Sequence, residues 1–345
     1  MEKKLIDNSL VLKEALSIPS CINNFVKNDL NNYDEIAELI KKKKFKFIVT
    51  IARGTSDCAA LFGSYIFAKY LGLPTYSMPP SIITLEKSKF DFSTALVIVI
   101  SQSGVSKDLI ECEESVRKMG GKTLIISNNT NSPMINHSHF FFNLNADKEK
   151  SVAATKTFVM TLLVLLKLTF YSASKKKITS LIDQLSEHLI QDSKNQWNVE
   201  SVDSSISTGF ILSRGVGFAL SNEISLKFKE LCQEQIEPFS SAEVMHGPRS
   251  LIQNSFKLFI LSMNDYSGRS VQKDSKELMR YTNLSYEISF NKNNNLKFFY
   301  PSFKLSELDP IVIMTKFYPW VVNYSFKKGL DPDNPRYLTK ITQTY

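Results

Sequence analysis

The sequence has little of what marks several large protein classes. Only four cysteines occur in 345 residues, at Cys21, Cys58, Cys112 and Cys232. None forms a CxxC pair or shows metal-ligand spacing, so neither a disulfide framework nor a metal site is expected. Free thiols in a reducing cytoplasm suit this pattern. No apolar run is long enough to cross a bilayer. The most apolar one, residues 158–166, lies between Lys156 and Lys167 and reads as a buried helix. The N-terminal MEKKLIDNSL lacks the apolar core of a signal peptide. Low-complexity segments are absent, as are the Walker ending GK[ST] and the dinucleotide fingerprint GxGxxG. No cofactor, no metal and no membrane partner are therefore expected, and a cytoplasmic location is.

What remains is a soluble globular balance, 43% hydrophobic and 22% charged, with length for about two domains. The net charge of +8 raises nucleic acid as a partner. The basic runs at 41–44 and 175–177 carry no interleaved aromatics, however. Each sits at the edge of a predicted helix, where cations complement the dipole or simply solvate. No nucleic-acid partner is expected.

Residues 10–43 read as helical with polar faces. KFKFIVTIARG then reads as a strand and a turn, followed by a helix to about residue 71. Further strand patterns lie at 95–101, 123–127 and 140–144, with helical patterns at 106–119 and 151–172. A second half begins near Thr208. GFILSRGVGFALSNEISLKFKELC again reads as strand, Arg-Gly turn and helix, and weakly matches IARGTSDCAALFGSYIFAKYLG. Strands at 256–263 and 284–290 and helices at 269–280 and 309–327 follow. Strands alternating with helices predict an α/β fold with parallel sheets, here as two copies of one unit. The expected division is an N-terminal helical segment (1–44), a first α/β domain (45–173), a helical connector (174–205), a second domain (206–328) and a C-terminal tail (329–345).

Three small hydroxyls and a glycine stand where the strand ALVIVI meets a helix: Ser101, Gln102, Ser103, Gly104, then Ser106. Open parallel sheets bind ligands beyond the carboxyl ends of their strands, where helix N-termini present free N–H groups. The turn therefore reads as an anion cradle, most simply for a phosphate, against ordinary helix capping as the alternative. Gly104 would let the backbone approach a ligand. Arg53-Gly54-Thr55-Ser56 has the same logic at another strand exit.

In the second half, Glu223, Lys227 and Glu230 recur at helical spacing, the pattern of a surface ion-pair ladder as readily as of a site. His246, three residues after Glu243 and followed by Gly-Pro, is open between a structural residue and an acid/base group. His137 and His139, in NHSH, read as loop residues. Pro332 and Pro335 exclude a helix from the tail, whose Lys340 could deliver an amine or merely be solvated.

Together ARGTSD, SQSGVSKDL, EKSVAATKTF, SRG, EISLKFKELC, EPFSSAEVMHGP and GLDPDNPRYLTKIT resemble the double sugar isomerase (SIS) domain family along nearly the whole chain. The resemblance is strongest to the isomerase half of glucosamine-6-phosphate synthase and to the type II glucosamine-6-phosphate deaminases. It implies two SIS subdomains, each a parallel sheet flanked by helices in a flavodoxin-like three-layer αβα arrangement. It further implies that Gly54, Thr55 and Ser56 line a sugar-phosphate site and that Ser101, Gln102, Ser103 and Ser106 cradle the phosphate. Val152, Ala153, Ala154 and Thr155 would contact the sugar. Glu230 would be the base that moves a proton between C1 and C2, and Lys227 its helper at the developing enolate. His246 would open the sugar ring from the neighbouring subunit of a homodimer with shared sites. Lys340 matches a tail lysine that forms a Schiff base.

The synthase's glutaminase domain has no counterpart, and the chain begins Met-Glu, so glutamine is not expected as an unaided ammonia source. Arg53, Asp57 and the stretch Val105-Ser106-Lys107-Asp108 are nearer the deaminase pattern. The expected reaction is conversion of glucosamine 6-phosphate to fructose 6-phosphate and ammonia. The alternatives are a galactosamine-6-phosphate deaminase, a fructosamine-phosphate deglycase, another phosphosugar isomerase or a sugar-phosphate-sensing regulator.

Overall fold

A computed structural model describes residues 6–292 and 297–340, without the side chains of 177–179. Residues 1–5 of the expected N-terminal segment and 341–345 of the expected tail lie outside the described residues. The chain forms two compact units that do not follow chain order. One contains Ser20–Glu149, Lys156–Ser186 and residues 339–340. The other contains residues 6–19, Lys150–Thr155 and Glu187–Leu338.

The first unit is built on five parallel strands: β1 (Phe47–Ile51), β2 (Thr75–Ser77), β3 (Ala95–Ile100), β4 (Lys122–Ser127) and β5 (Phe140–Asn143), in the order β2-β1-β3-β4-β5. All six residues of ALVIVI in β3 are buried, as a central parallel strand covered on both faces requires. The helix Lys156–Ser172 is buried nearly all round and packs on the helices Thr55–Leu71 and Tyr33–Lys41. Its apolar run marks the interior of a layered domain, in line with the buried helix read from the sequence.

The second unit repeats the plan with β6 (Thr208–Ser213), β7 (Gln235–Ser240), β8 (Lys257–Leu261), β9 (Ser285–Ser289) and β10 (Phe298–Phe299). These strands are all parallel, in the order β10-β9-β8-β6-β7. Counted from the first strand of each unit, the two orders are the same, so the fold is α/β with two copies of one parallel sheet.

Three strands escaped the pattern reading. β2 and β10 have three and two residues, too few to show a period. β7, QIEPFS, is half-exposed and carries Pro238, which a sheet tolerates at its edge, and β7 is an edge strand. The helical pattern at 151–172 also starts late, at Lys156; residues 150 and 151 lie in the preceding loop, where their backbone N–H groups donate to Glu14.

The core of the second unit encloses a charge cluster. Lys257 and Glu234 are both fully buried. Lys257 Nζ donates to both Glu234 oxygens at 2.9 and 2.8 Å and to Tyr324 Oη at 2.7 Å. Lys328 Nζ donates to Glu234 Oε1 at 2.6 Å. Burial pulls the Lys257 ammonium below its usual value and the Glu234 charge opposes this. Glu234 is thus an anion that two cations share. Glu234→Gln should destabilise the protein by about 3–5 kcal/mol, because it leaves a buried cation uncompensated. Lys257→Met should cost less, since Lys328 still neutralises Glu234. Urea unfolding of both variants measures this, and the reverse ranking would refute it.

Candidate functional site

In the first unit the chain runs from β1 outward to β2 and then returns to the other side of β1 for β3. The crevice of such a sheet opens between the carboxyl ends of β1 and β3, where the direction switches. Both turns singled out from the sequence leave the sheet at that point. Gly54 has φ +54° with open space where a side chain would stand, so the turn needs its left-handed backbone rather than its small size. Thr55 and Ser56 then start the helix Thr55–Leu71. Arg53 Nε meets Asp108 Oδ2 at 2.6 Å and ties the two turns together; Asp108 is buried and Arg53 half-exposed. Burial pushes the neighbouring Asp57 carboxyl above the usual range, and the hydrogen bond from Ser77 Oγ (3.1 Å) opposes it.

The turn after β3 is held from the side of β4. Ser101 Oγ accepts from Gly104 N at 3.1 Å and Ser103 Oγ from Val105 N at 3.4 Å, which leaves each hydroxyl hydrogen to donate. Ser106, at the N-cap of the helix Lys107–Lys118, makes no side-chain capping bond. Gln102, Ser103 and Ser106 are half-buried and Ser101 is buried. From the turn following β4, Asn129 Nδ2 donates to Ser103 O at 2.8 Å and Ser132 Oγ to Gly104 O at 2.6 Å. The role given to Gly104 needs a correction. Its φ is +65°, and an added Cβ would lie 2.6 Å from Ser132 Cβ and 3.0 Å from Ser127 Oγ. The protein itself, not a ligand, fills that space. Asn129 and Ser132 were missed because only strand order makes them neighbours of Ser101.

The second unit has the matching turns but closes one of them. Gly215, φ +60°, opens the helix Val216–Cys232 after β6. After β8, however, Asp265 sits at the N-cap of the helix Tyr266–Leu278 and accepts from Gly268 N at 2.8 Å and Ser267 Oγ at 2.7 Å. A carboxylate already occupies the position that would attract an anion. Of the two copies, the first unit's is the one with uncommitted hydroxyl donors.

Glu223, Lys227 and Glu230 lie on the helix Val216–Cys232, and they are not a surface ladder. Lys227 and Glu223 are fully buried, while Glu230 keeps 22% of its side chain exposed. Lys227 Nζ contacts Glu230 Oε2 at 2.5 Å and Glu223 Oε1 at 3.4 Å. Tyr318 Oη, from the helix Asp309–Lys327, donates to Glu223 Oε1 at 2.9 Å. A buried ammonium persists only with such compensation. The arrangement aims one cation at a carboxylate that opens to solvent. His246 follows the short helix Ser241–Val244 and is exposed, its backbone N donating to Glu243 O at 3.0 Å. Val152 to Thr155 lie in a non-helical loop, with Ala153 and Thr155 buried and Val152 and Ala154 half-buried. Lys340 Nζ lies 3.5 Å from Glu149 Oε2, and the buried Glu149 also accepts from Thr157 N at 3.2 Å and Thr157 Oγ1 at 2.6 Å. Glu149 and Tyr318 gave no signal in the sequence, since their partners stand far along the chain or on another helix.

Residues 38–170 match the model of the SIS domain. Over 341 residues the chain is 28% identical to the glutamine–fructose-6-phosphate aminotransferase (isomerizing) of Sulfolobus acidocaldarius, a match covering 96% of this chain and 56% of that protein. The chain therefore spans little more than half the length of this relative. Among solved structures, a provisionally named phosphosugar isomerase from Silicibacter pomeroyi superposes with a TM-score of 0.87 at 27% identity, over 94% of this chain and 100% of that one. The glucosamine-6-phosphate deaminase of Thermotoga maritima shares the fold with a TM-score of 0.78 at 20% identity, over 97% and 100% of the two chains. Residues 38–170 thus form a SIS domain, and the second half repeats the strand order of its sheet.

Proposed function

We propose that the chain is an aminosugar-phosphate deaminase, converting glucosamine 6-phosphate and water to fructose 6-phosphate and ammonia. The observation that carries this reading is the buried Lys227 held against the partly exposed Glu230. Aldose–ketose chemistry needs one carboxylate that can take a proton from C2 and return it to C1, and a cation for the oxygen charge that develops between these steps. Glu230 and Lys227 are that pair. His246, supplied by the partner subunit of a homodimer, opens the ring. Proton transfer from C2 to C1 turns the open-chain amino aldehyde into the C2 imine of the keto sugar. Water adds to that imine carbon, the C–N bond breaks, and ammonia leaves with the keto oxygen coming from water. Lys340 is the tail amine that engages the C2 carbonyl of the keto product. Gly54, Thr55, Ser56, Ser101, Gln102, Ser103 and Ser106 hold the phosphate, which contributes binding energy away from the reacting carbons. Val152, Ala153, Ala154 and Thr155 contact the sugar.

The deaminase direction rests on Arg53, Asp57 and residues 105–108. Isomerisation of a sugar phosphate without loss of nitrogen is the second reading, favoured by the name of the Silicibacter relative.

Incubation with glucosamine 6-phosphate should release ammonia and fructose 6-phosphate in equal amounts. Glu230→Gln should lower kcat by roughly two to four orders of magnitude, the range of a general base, and leave binding little changed. Interconversion of hexose phosphates with no ammonia from any hexosamine 6-phosphate would select the second reading. Near-normal turnover by Glu230→Gln would reduce its ion pair with Lys227 to a structural one.

Ser101→Ala and Ser103→Ala should each weaken sugar-phosphate binding by about 1.5–3 kcal/mol, the scale of a hydrogen bond to a charged group. Titration calorimetry with phosphorylated and free glucosamine tests this; equal affinity for the two sugars removes the phosphate cradle.

Shared sites predict complementation. Mixing inactive His246→Ala and Glu230→Gln subunits at random makes about half the dimers mixed, each with one complete site, so about a quarter of wild-type activity should return. Mixed dimers that stay inactive would place His246 outside the partner's site.

A further inference from the structure

The helix Leu10–Leu16 has no role in the reaction above, yet its polar groups are committed to two distant parts of the chain. Glu14 is nearly buried, with 6% exposure. Its Oε1 accepts from Lys150 N at 2.6 Å and its Oε2 from Ser151 N at 3.1 Å, and Ser151 Oγ also donates to Oε2. Ser151 Oγ lies 2.9 Å from Ala153 O as well, so its one hydrogen serves two acceptors. Three donors on two adjacent residues thus converge on one carboxylate. Their convergence fixes the backbone path at 150 and 151, and releasing any donor in this buried place carries a desolvation cost.

The same helix is capped by the C-terminal tail. Asp333 Oδ1 accepts from Val11 N at 2.8 Å and from Ser9 Oγ at 3.2 Å, and Asp333 Oδ2 accepts from Leu10 N at 2.8 Å. A carboxylate here satisfies free N–H groups and complements the positive end of the helix. Asp333 stands seven residues before Lys340.

We propose that Glu14 is a positioning residue. The helix Leu10–Leu16 holds loop 150–155 through Glu14 and the tail through Asp333, so one element sets both the segment that meets the sugar and the origin of the segment that carries Lys340. The roles of loop and tail rest on the function proposed above; the shared anchor rests on the hydrogen bonds alone. Glu14→Gln keeps the shape but replaces one acceptor oxygen with an N–H₂ group facing backbone donors. Asp333→Asn does the same at the cap.

Two measurements test this. With glucosamine 6-phosphate as substrate, Glu14→Gln should raise KM on the order of ten- to a hundred-fold, the scale of a displaced binding segment, with a smaller change in kcat. Adding Ser151→Ala to Glu14→Gln should cost little more than Glu14→Gln alone, because both remove one contact. A role in stability alone would lower the melting temperature and leave KM unchanged, and that result overturns the proposal. Hydrogen exchange on the unliganded protein provides the second readout. Glu14→Gln and Asp333→Asn should both speed exchange at the amides of residues 150 and 151, with β3 and β8 unchanged. Unaltered exchange there in Glu14→Gln refutes the clamp, and unaltered exchange in Asp333→Asn refutes the coupling to the tail. Should Glu14→Gln fail to fold, Ser151→Ala and Asp333→Asn carry the same two tests. Absence of turnover in the wild-type chain would count against the proposed reaction, while the exchange data would still decide the anchor.

Discussion

Parallel pairing of every described strand is the constraint from which the rest follows. Parallel neighbours need a crossover between them, and the crossovers cover both faces of each sheet with helices. The faces are then apolar interior, as the wholly buried β3 illustrates. Polar chemistry is left to the strand ends. At the carboxyl end, helices begin with unpaired N–H groups, and the reversal between β1 and β3 keeps their turns from closing over one another. The serine-rich turn and the Arg-Gly turn occupy that reversal in the first unit. The second unit has the same reversal between β6 and β8, but Asp265 satisfies the helix start there. Identical topology thus offers two equivalent places, and side chains decide which stays open.

Buried lysine–carboxylate pairs make a second contrast within one unit. Lys257 and Glu234 are both without exposure and are enclosed further by Tyr324 and Lys328. Such a pair is closed off from any reactant. Lys227 is equally buried, but its partner Glu230 reaches solvent. A carboxylate with one side on a fixed cation and the other accessible can meet a reactant. Glu223 and Tyr318 complete the support behind Lys227, so the fold itself fixes the position of that charge.

Much of this was legible in the chain because it is local. The run 158–166 announced a buried helix, and the helix Lys156–Ser172 is one. The alternation of strands and helices announced parallel sheets, and SQSG after ALVIVI announced a turn at a strand exit. The strands that were missed are those whose own residues hold too little pattern. β7 needs an edge position to accommodate Pro238, and β2 and β10 are three and two residues long.

The sequence by itself determined the fold class, the doubling of the α/β unit and the turns where hydroxyls gather at helix starts. These depend on periodicity, turn chemistry and capping, which act over a few residues. Only the tertiary structure decided that Lys227 is buried rather than on a surface ladder, because helical spacing does not say which face meets the core. It alone showed that Gly104 yields its space to Ser132 and that Glu14 reaches Ser151 from far along the chain. Such contacts are set by which strands and loops become neighbours, a property of the folded chain that no stretch of sequence contains.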